Sequence, residues 1–408
     1  MQASSRYTKC MFLGIGLVLL FSLSALAACS TDNGTGSSGG TPTSQSTGGK
    51  SVTGGATSSV APGVLLGVQP CPGATKNPTY WNPFILVQSG VYRVESVSCA
   101  NIMDASSLQA LVTVRHSDDG STLDVYVFNN ITGATPARVF QAMGLVKGNA
   151  KISGYNTVLM AQADELSALN VGKPVSAMAA DLFREFDWSA QAGKLVQVAF
   201  PGIFPDLTRY QAETDQMQVN QGHQPWKLSA TMVANTLAVS LLNWPSNSST
   251  TLLSGGGEHD ASAVVRVKNS FVVSGSVKVT LSRLEGNTQN GIWEAIAVES
   301  DGASLTSPLP LAVVSNPVSV KGTGNAFEGT IGRVIVLDHL YHPLGQAVAT
   351  GVAGNGQTSF STSVSYQSTF PAGTQEGVLF LSIPSNANGS IASAIMEKVL
   401  IPGLPQGN

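Results

Sequence analysis

The chain has 408 residues, of which only 11 % are charged and 43 are glycine, a composition that favours a β-rich protein over a helical one. Its 21 basic and 24 acidic residues give a formal net charge of −3. Neither nucleic acid nor an anionic membrane surface is therefore an electrostatically favoured partner.

Residues 1–28 have the order of a secretory signal peptide, with a short basic start, an apolar run (MFLGIGLVLLF) and a small-residue exit. The exit, Leu26 to Cys29 (LAAC), resembles the lipobox of bacterial lipoproteins. That resemblance implies cleavage between Ala28 and Cys29 and a diacylglyceryl group on the Cys29 sulfur, which would anchor the protein in a membrane. An ordinary signal peptide with a chance cysteine and an uncleaved membrane helix are the alternatives.

Two cysteines remain once Cys10 leaves with the signal and Cys29 carries lipid. In the oxidising compartment outside the cytoplasm, this pair, Cys71 and Cys99, favours a disulfide. Two free buried thiols are the alternative. A metal site is disfavoured because no histidine lies near either cysteine in sequence.

Residues 29–64 consist largely of Gly, Ser and Thr and predict a flexible tether. The first folded region is then predicted at residues 65–223, an α+β domain of no recognised family. Alternating segments at 107–116 and 122–128 flank a turn and predict a β-hairpin.

A short helix is predicted next, at residues 135–144, where a threonine, a proline and a closing glycine stand at the positions that helix ends favour. Further strands are predicted at residues 156–163 and 194–200. These elements give the region its α+β character.

A small helix-plus-antiparallel-sheet domain is predicted at residues 224–302. Ser229 can cap a helix whose apolar residues recur at helical spacing. Pro245 and the Ser/Asn run after it end that helix. Three strands follow, at residues 261–268, 275–283 and 292–299.

Residues 303–408 predict a β-sandwich, because short strands alternate with Gly/Pro/Asn turns. Six strands are predicted, at residues 317–322, 326–337, 347–350, 358–366, 376–383 and 395–401.

This last region resembles the immunoglobulin-like domain of bacterial spore germination proteins. The resemblance rests on residues 316–322 (NPVSVKG), 325–330 (NAFEGT), 334–338 (VIVLD) and 377–381 (GVLFL). It implies an immunoglobulin-like β-sandwich on an exported protein, without implying spores, and it brings no catalytic residues. Residues 338–345 (DHLYHPLG) depart from the short Asp/Gly turn that is usual in the family.

The strongest candidate for acid–base chemistry is the acidic cluster of Asp181, Glu185 and Asp187. The favoured alternative is that these carboxylates form the exposed side of a short amphipathic helix. Outside the predicted tether the chain has no Gly-x-Ser-x-Gly elbow, and it has no His-Glu-x-x-His zinc motif, so the sequence predicts no catalytic residue.

The five histidines do not predict a metal site or a cofactor. His339 and His342 are interpreted as part of a polar hairpin tip, and His259, between Glu258 and Asp260, as part of a solvated loop. His116 falls at a hairpin edge and His223 in a linker.

A candidate binding loop spans residues 200–210, where Phe200, Phe204 and Tyr210 accompany two prolines. Aromatic residues in a loop can form a recognition surface. The favoured alternative is that they plug the loop into the core of their own domain.

Together these features predict a non-enzymatic, extracytoplasmic protein that is lipid-anchored to the bacterial cell membrane, or to an outer membrane where the host has one. Its β-rich domains would serve interaction or scaffolding, with a wall polymer or another envelope protein as partner. An extracytoplasmic hydrolase with carboxylate chemistry in residues 65–223 is one alternative. A lipid-anchored solute-binding protein is the other, although such proteins need two α/β lobes with more helices.

Overall fold

The computed structural model describes residues 67–85, 92–117, 120–272, 274–286, 289–352, 356–370 and 373–404. The predicted signal peptide, the lipidation site Cys29 and the predicted tether lie outside these residues. All described residues belong to one compact unit, residues 59–408. The structure has 47 % strand and 14 % helix, which confirms the predicted β-rich fold class. No helix in the described part is both long and apolar enough to cross a membrane.

The first antiparallel sheet contains four strands in chain order: β1 (Tyr92–Ala100), β2 (Gln109–His116), β3 (Thr122–Asn129) and β4 (Ala137–Val146). The predicted hairpin of β2 and β3 is confirmed. The helix predicted at residues 135–144 is wrong, because β4 occupies that segment and pairs along β3. A proline such as Pro136 suits the entry to a strand as well as the first turn of a helix.

The second sheet also contains four antiparallel strands in chain order: β5 (Asn149–Ile152), β6 (Val158–Gln162), β7 (Leu182–Ser189) and β8 (Lys194–Val198). The strands predicted around residues 156–163 and 194–200 are thus confirmed. The amphipathic helix suggested for the Asp181–Asp187 cluster is wrong, because β7 covers residues 182–189 and pairs with β6 and β8. The two sheets share a core that includes Leu111, Val125 and Met160.

A short N-terminal segment covers the other face of the first sheet. It contains two 3₁₀ helices, Gly73–Lys76 and Pro78–Trp81, followed by α1 (Asn82–Ile85). Trp81 is fully buried against the sheet with Phe128, and its indole nitrogen donates to the Thr75 carbonyl at 2.8 Å. Cys71 and Cys99 form the predicted disulfide, which joins this segment to β1.

Two longer helices follow β8, namely α2 (Arg209–Asn220) and α3 (Ala230–Leu242), with a 3₁₀ turn at Pro225–Leu228 between them. The predicted cap of α3 is confirmed, because the Ser229 side chain accepts from the Met232 amide. Val233 and Leu237 bury the inner face of α3 in the largest hydrophobic core.

The described residues of the C-terminal half form eleven further strands. They are β9 (Ser249–Gly255), β10 (Ser262–Lys268), β11 (Ser276–Ser282), β12 (Glu294–Glu299), β13 (Ala303–Ser307), β14 (Val318–Ala326), β15 (Thr330–Leu337), β16 (Pro343–Thr350), β17 (Gly356–Val364), β18 (Thr374–Pro384) and β19 (Ile391–Pro402). An eight-stranded sheet has the order β16-β15-β18-β19-β12-β11-β10-β9, and a three-stranded sheet has the order β13-β14-β17.

The two sheets face each other as a sandwich around Val320, Val336, Phe360 and Leu379. The single strand predicted at residues 326–337 is wrong, because a turn at Glu328 (φ 50°) and Gly329 (φ 80°) divides it. That turn carries the chain from β14 in one sheet to β15 in the other.

The eight-stranded sheet runs through the boundary predicted at residues 302 and 303. Val298 of β12 pairs with Met396 of β19, so the predicted units 224–302 and 303–408 contribute strands to one sheet. α3 packs on the β9–β12 half of that sheet.

Candidate functional site

The loop that follows β8 enters the core of the C-terminal half. We call residues 200–208 the junction loop. Phe200 is fully buried and Phe204 is 8 % exposed, so both aromatic rings lie inside the protein and not on a recognition surface. Tyr210, at the start of α2, stacks on the Phe183 ring with 4.9 Å between centroids, and the Lys151 ammonium lies 4.6 Å from its ring.

Backbone hydrogen bonds join the junction loop to β12. The Ile203 amide donates to the Ala295 carbonyl at 2.7 Å, and the Ala295 amide donates to the Phe204 carbonyl at 2.7 Å. The Tyr341 hydroxyl, from the loop between β15 and β16, donates to the Ile203 carbonyl at 2.7 Å. Phe204 and Ala295 thus form an isolated antiparallel bridge, which fixes the backbone of the loop to an inner strand of the eight-stranded sheet.

A buried ion pair holds the same loop from the neighbouring strands. The ammonium of Lys398 on β19 lies 3.0 Å from a carboxylate oxygen of Glu376 on β18. Lys398 also donates to the carbonyls of Gly202 and Leu207, while the Phe200 amide donates to the other Glu376 oxygen at 3.1 Å. Burial raises the pKa of Glu376 to about 7 and lowers the pKa of Lys398, and the attraction between the two groups opposes both shifts.

A second buried cluster lies where the loop meets α2 and β12. The Lys227 ammonium is 3.1 Å from an Asp206 carboxylate oxygen and also contacts Asp215. The Asp206 amide donates to Glu294, which has no exposed surface. Burial, followed by repulsion from Asp206, raises the pKa of Glu294 well above its ordinary value. One ammonium faces three carboxyl groups here, which disfavours the ionised form of the fully buried Glu294.

A third cluster connects α2 to the second sheet. The Arg209 guanidinium lies 2.8 Å from Glu185 and 2.6 Å from Glu285, and it stands over the Tyr155 ring at 4.3 Å. Burial raises the pKa of Glu285 to about 8, although the attraction of Arg209 lowers it. The Thr157 hydroxyl satisfies Glu185 with a further hydrogen bond of 2.7 Å.

His339 lies in the turn between the paired strands β15 and β16, as predicted for a hairpin tip, but its side chain is buried and the residue is only 5 % exposed. Its Nδ1 lies 2.5 Å from the Gln375 side-chain oxygen, and its Nε2 lies 3.5 Å from an Asp181 carboxylate oxygen. Asp181 also accepts from the Ser167 hydroxyl at 2.5 Å. Burial alone lowers the pKa of His339, but its hydrogen bonds to Asp181 and Gln375 raise it above the ordinary value.

The other candidate residues lie apart from these clusters. The His342 side chain is 53 % exposed, and Glu258, His259 and Asp260 lie in an exposed turn, as predicted for a solvated loop. His116, the last residue of β2, has its Nε2 3.1 Å from a carboxylate oxygen of Asp124 on β3. Among the described residues, no group of three or more His, Cys, Asp or Glu side chains is placed to hold a metal ion.

Two cavities open elsewhere on the described surface. The larger, of about 560 Å³, is lined by Glu95, Arg115 and Lys147 among others, and the smaller, of about 230 Å³, by Ser276, Asp301 and Asn325 among others. In the larger cavity the Arg115 guanidinium is engaged by the Glu95 carboxylate at 2.8 Å and the Gly148 carbonyl at 3.1 Å. Neither cavity includes the buried carboxyl groups described above.

Chemically, the three ionic clusters and the His339 contact are suited to positioning, because each charged group faces an internal partner. Five residues of these clusters were not among the candidates predicted from the sequence, namely Asp206, Lys227, Glu294, Glu376 and Lys398. The sequence does contain one sign of a buried charge. Lys398 interrupts the apolar run of β19 at a position where a buried strand usually carries an aliphatic residue.

The chain was also compared with known proteins. No family model matches it, and a search of curated proteins found no similar sequence.

Proposed function

We propose that this chain is a non-enzymatic, lipid-anchored protein of the bacterial cell envelope that acts as an interaction or scaffolding module. The observation that carries the proposal is that the charged side chains around the junction loop are paired with one another inside the protein. Carboxylates and cations that could serve acid–base chemistry are buried in internal ion pairs that hold the junction loop. Such an arrangement supports a rigid body more directly than a reaction centre.

Export is supported by the disulfide between Cys71 and Cys99, since disulfides persist in oxidising compartments. The lipobox-like exit at Cys29 supports the anchor. A carboxylate hydrolase is less well supported, because Asp181 and Glu185 are both buried and hydrogen-bonded to neighbours within the protein.

The strand order supports the resemblance to an immunoglobulin-like domain. A three-stranded sheet, β13-β14-β17, faces β16-β15-β18-β19, which is a two-sheet antiparallel arrangement of the kind that such domains use. Val313, in the segment before β14, also forms a parallel bridge with Leu400 of the last strand. We infer that this part serves as a spacer or docking module on the exported protein.

The anchor is tested by membrane fractionation and intact mass in the native host. The expected mass is that of residues 29–408 plus a diacylglyceryl group, in the membrane fraction. Cys29→Ser should abolish lipidation, whereas the matched control Cys10→Ser should behave as the wild type because that residue is removed with the signal. A soluble, unlipidated wild-type product would contradict the anchor.

The non-enzymatic role is tested by incubating the purified protein with isolated cell-wall sacculi. A module that binds a wall polymer should sediment with the sacculi and release no soluble fragments. Release of fragments would support the hydrolase alternative. Failure to sediment would exclude the wall polymer and direct the search to an envelope protein as partner.

A further inference from the structure

One end of the eight-stranded sheet is open. β9 pairs with β10 alone, and no other strand in the described part of the chain pairs with its outer side. At the opposite end, β16 packs against β17 of the facing sheet, so that edge is sheltered. An open edge presents a row of backbone donors and acceptors that can pair with another strand.

The residues of β9 lack the usual features that protect an edge. Its sequence, STTLLSG, contains no proline and no charge, and residues 228–257 as a whole contain no charged side chain. Leu252 and Leu253 are 45 % and 44 % exposed. A bulge opposite Val264 and Val265 leaves Leu253 unpaired, so the regular part of the edge is Ser249–Leu252.

An exposed aromatic residue stands at the beginning of the same edge. Phe271 is 76 % exposed in the turn between β10 and β11. The neighbouring Ser270 hydroxyl donates to the Asn247 side chain at 2.8 Å, which holds this turn beside the start of β9. Aromatic side chains of this kind are enriched at protein interfaces.

The two ends of the edge carry opposite charge. Lys268 is exposed and lies opposite Ser249 at the start of β9, with Arg266 two residues away on β10. Glu258 and Asp260 are exposed in the turn after β9. The Arg283 guanidinium donates to the Asp260 carbonyl at that end, which leaves two carboxylates beside one cation.

We propose that two copies of this chain pair through β9, antiparallel and related by a twofold axis, so that their eight-stranded sheets join into one. Antiparallel pairing sets the Lys268 end of each edge against the Glu258 end of the other, and the uncharged strands meet without like-charge repulsion. It also covers the exposed leucines beside each strand. Because a twofold contact closes on itself, the assembly ends at the dimer.

The test is the molar mass of the full chain in detergent, measured by light scattering after size exclusion. The wild type should be a dimer. Thr251→Glu should give a folded monomer, because Thr251 lies opposite Arg266 within its own chain, while in the dimer each copy would bring a carboxylate into the otherwise uncharged pair of strands. Val348→Glu is the matched control, since Val348 is an exposed residue of β16 opposite Arg333, and it should remain dimeric.

Charge reversal tests the orientation. Lys268→Glu and Glu258→Lys should each raise the dissociation constant of the dimer by about tenfold, which is the size of effect that two exposed ion pairs can have. The double variant should recover most of the lost affinity. A monomeric wild type, a dimeric Thr251→Glu variant or an assembly larger than a dimer would overturn the proposal. Additive weakening in the double variant would overturn the antiparallel arrangement. None of these outcomes bears on the anchor at Cys29.

Discussion

At the scale of single residues, the buried carboxyl groups outnumber the cations that face them. Arg209 lies between Glu185 and Glu285, and one guanidinium cannot neutralise two ionised carboxylates in a site closed to water. Glu285 takes up the difference, because burial raises its pKa from 4.5 to about 8. Between pH 4.5 and about 8 the folded protein therefore holds a proton at Glu285 that the unfolded chain releases.

This imbalance predicts a pH effect that Glu285→Gln should remove. Between pH 4.5 and about 8 the folded state binds more protons at Glu285 than the unfolded state, so the contribution of this group to the free energy of unfolding falls as pH rises. Glutamine does not titrate and still offers an oxygen to Arg209. We expect the variant to be more stable than the wild type at pH 8, and the difference to shrink towards pH 5.

Urea denaturation of both proteins at pH 5, 6.5 and 8 measures this difference. Glu299→Gln is the matched control, because Glu299 pairs with Lys278 on the exposed face of the sheet and should shift stability little at any pH. A difference between wild type and Glu285→Gln that stays constant across the pH range would contradict the assignment.

At the scale of elements, the N-terminal segment depends on one covalent link. Cys71 and Cys99 are 28 residues apart in sequence, and the disulfide joins the 3₁₀ turns to β1 next to buried Trp81. In the loop-entropy model, closing a loop of that size stabilises the fold by about 3–4 kcal/mol.

We therefore expect reduction to lower the free energy of unfolding by about 3–4 kcal/mol, because the unfolded chain regains the entropy of the open loop. Urea denaturation with and without reductant measures the loss. The double variant Cys71→Ser, Cys99→Ser should match the reduced wild type and should not respond to reductant. Equal stability of the oxidised and reduced wild type would contradict the expected role.

The sequence predicted those elements whose signal is local. The hairpin of β2 and β3, the Ser229 cap and strands β10 to β12 all follow from alternation or capping within a short segment. β4 (residues 137–146) and β7 (residues 182–189) are strands because neighbouring strands pair with them, a non-local effect that overrides helix-like end signals. β9 was missed because its exposed residues do not alternate.

The candidate site was less predictable for the same reason. His339 and Asp181 are 158 residues apart in sequence, and Phe200 and Glu376 are 176 apart. No pattern within a single element shows that a polar residue will meet a partner so far along the chain. The disulfide is the long-range contact that was predicted correctly. Once Cys10 and Cys29 are assigned to the signal peptide and the lipid, Cys71 and Cys99 are the two cysteines left to pair.

At the scale of the whole molecule, the junction loop couples the two β-rich halves. Lys398 binds the carbonyls of Gly202 and Leu207, and Glu376 accepts from the Phe200 amide, so the C-terminal strands hold the chain where it leaves the second sheet. Both charged groups are 1 % exposed. Removing one partner leaves the other as an uncompensated buried charge, which typically costs about 3–5 kcal/mol.

Lys398→Met should therefore destabilise the protein by about 3–5 kcal/mol, and adding Glu376→Met should restore most of that loss because no buried charge remains. Calorimetry measures both, and it also reports cooperativity. If the junction couples the halves, the wild type should unfold in one transition and Lys398→Met in two, since the loop no longer fixes residues 67–198 to the C-terminal sheet. The exposed control Lys321→Met, on β14, should keep a single transition. Two transitions already present in the wild type would mean that the halves unfold independently, and the buried charges would then stabilise the C-terminal half alone.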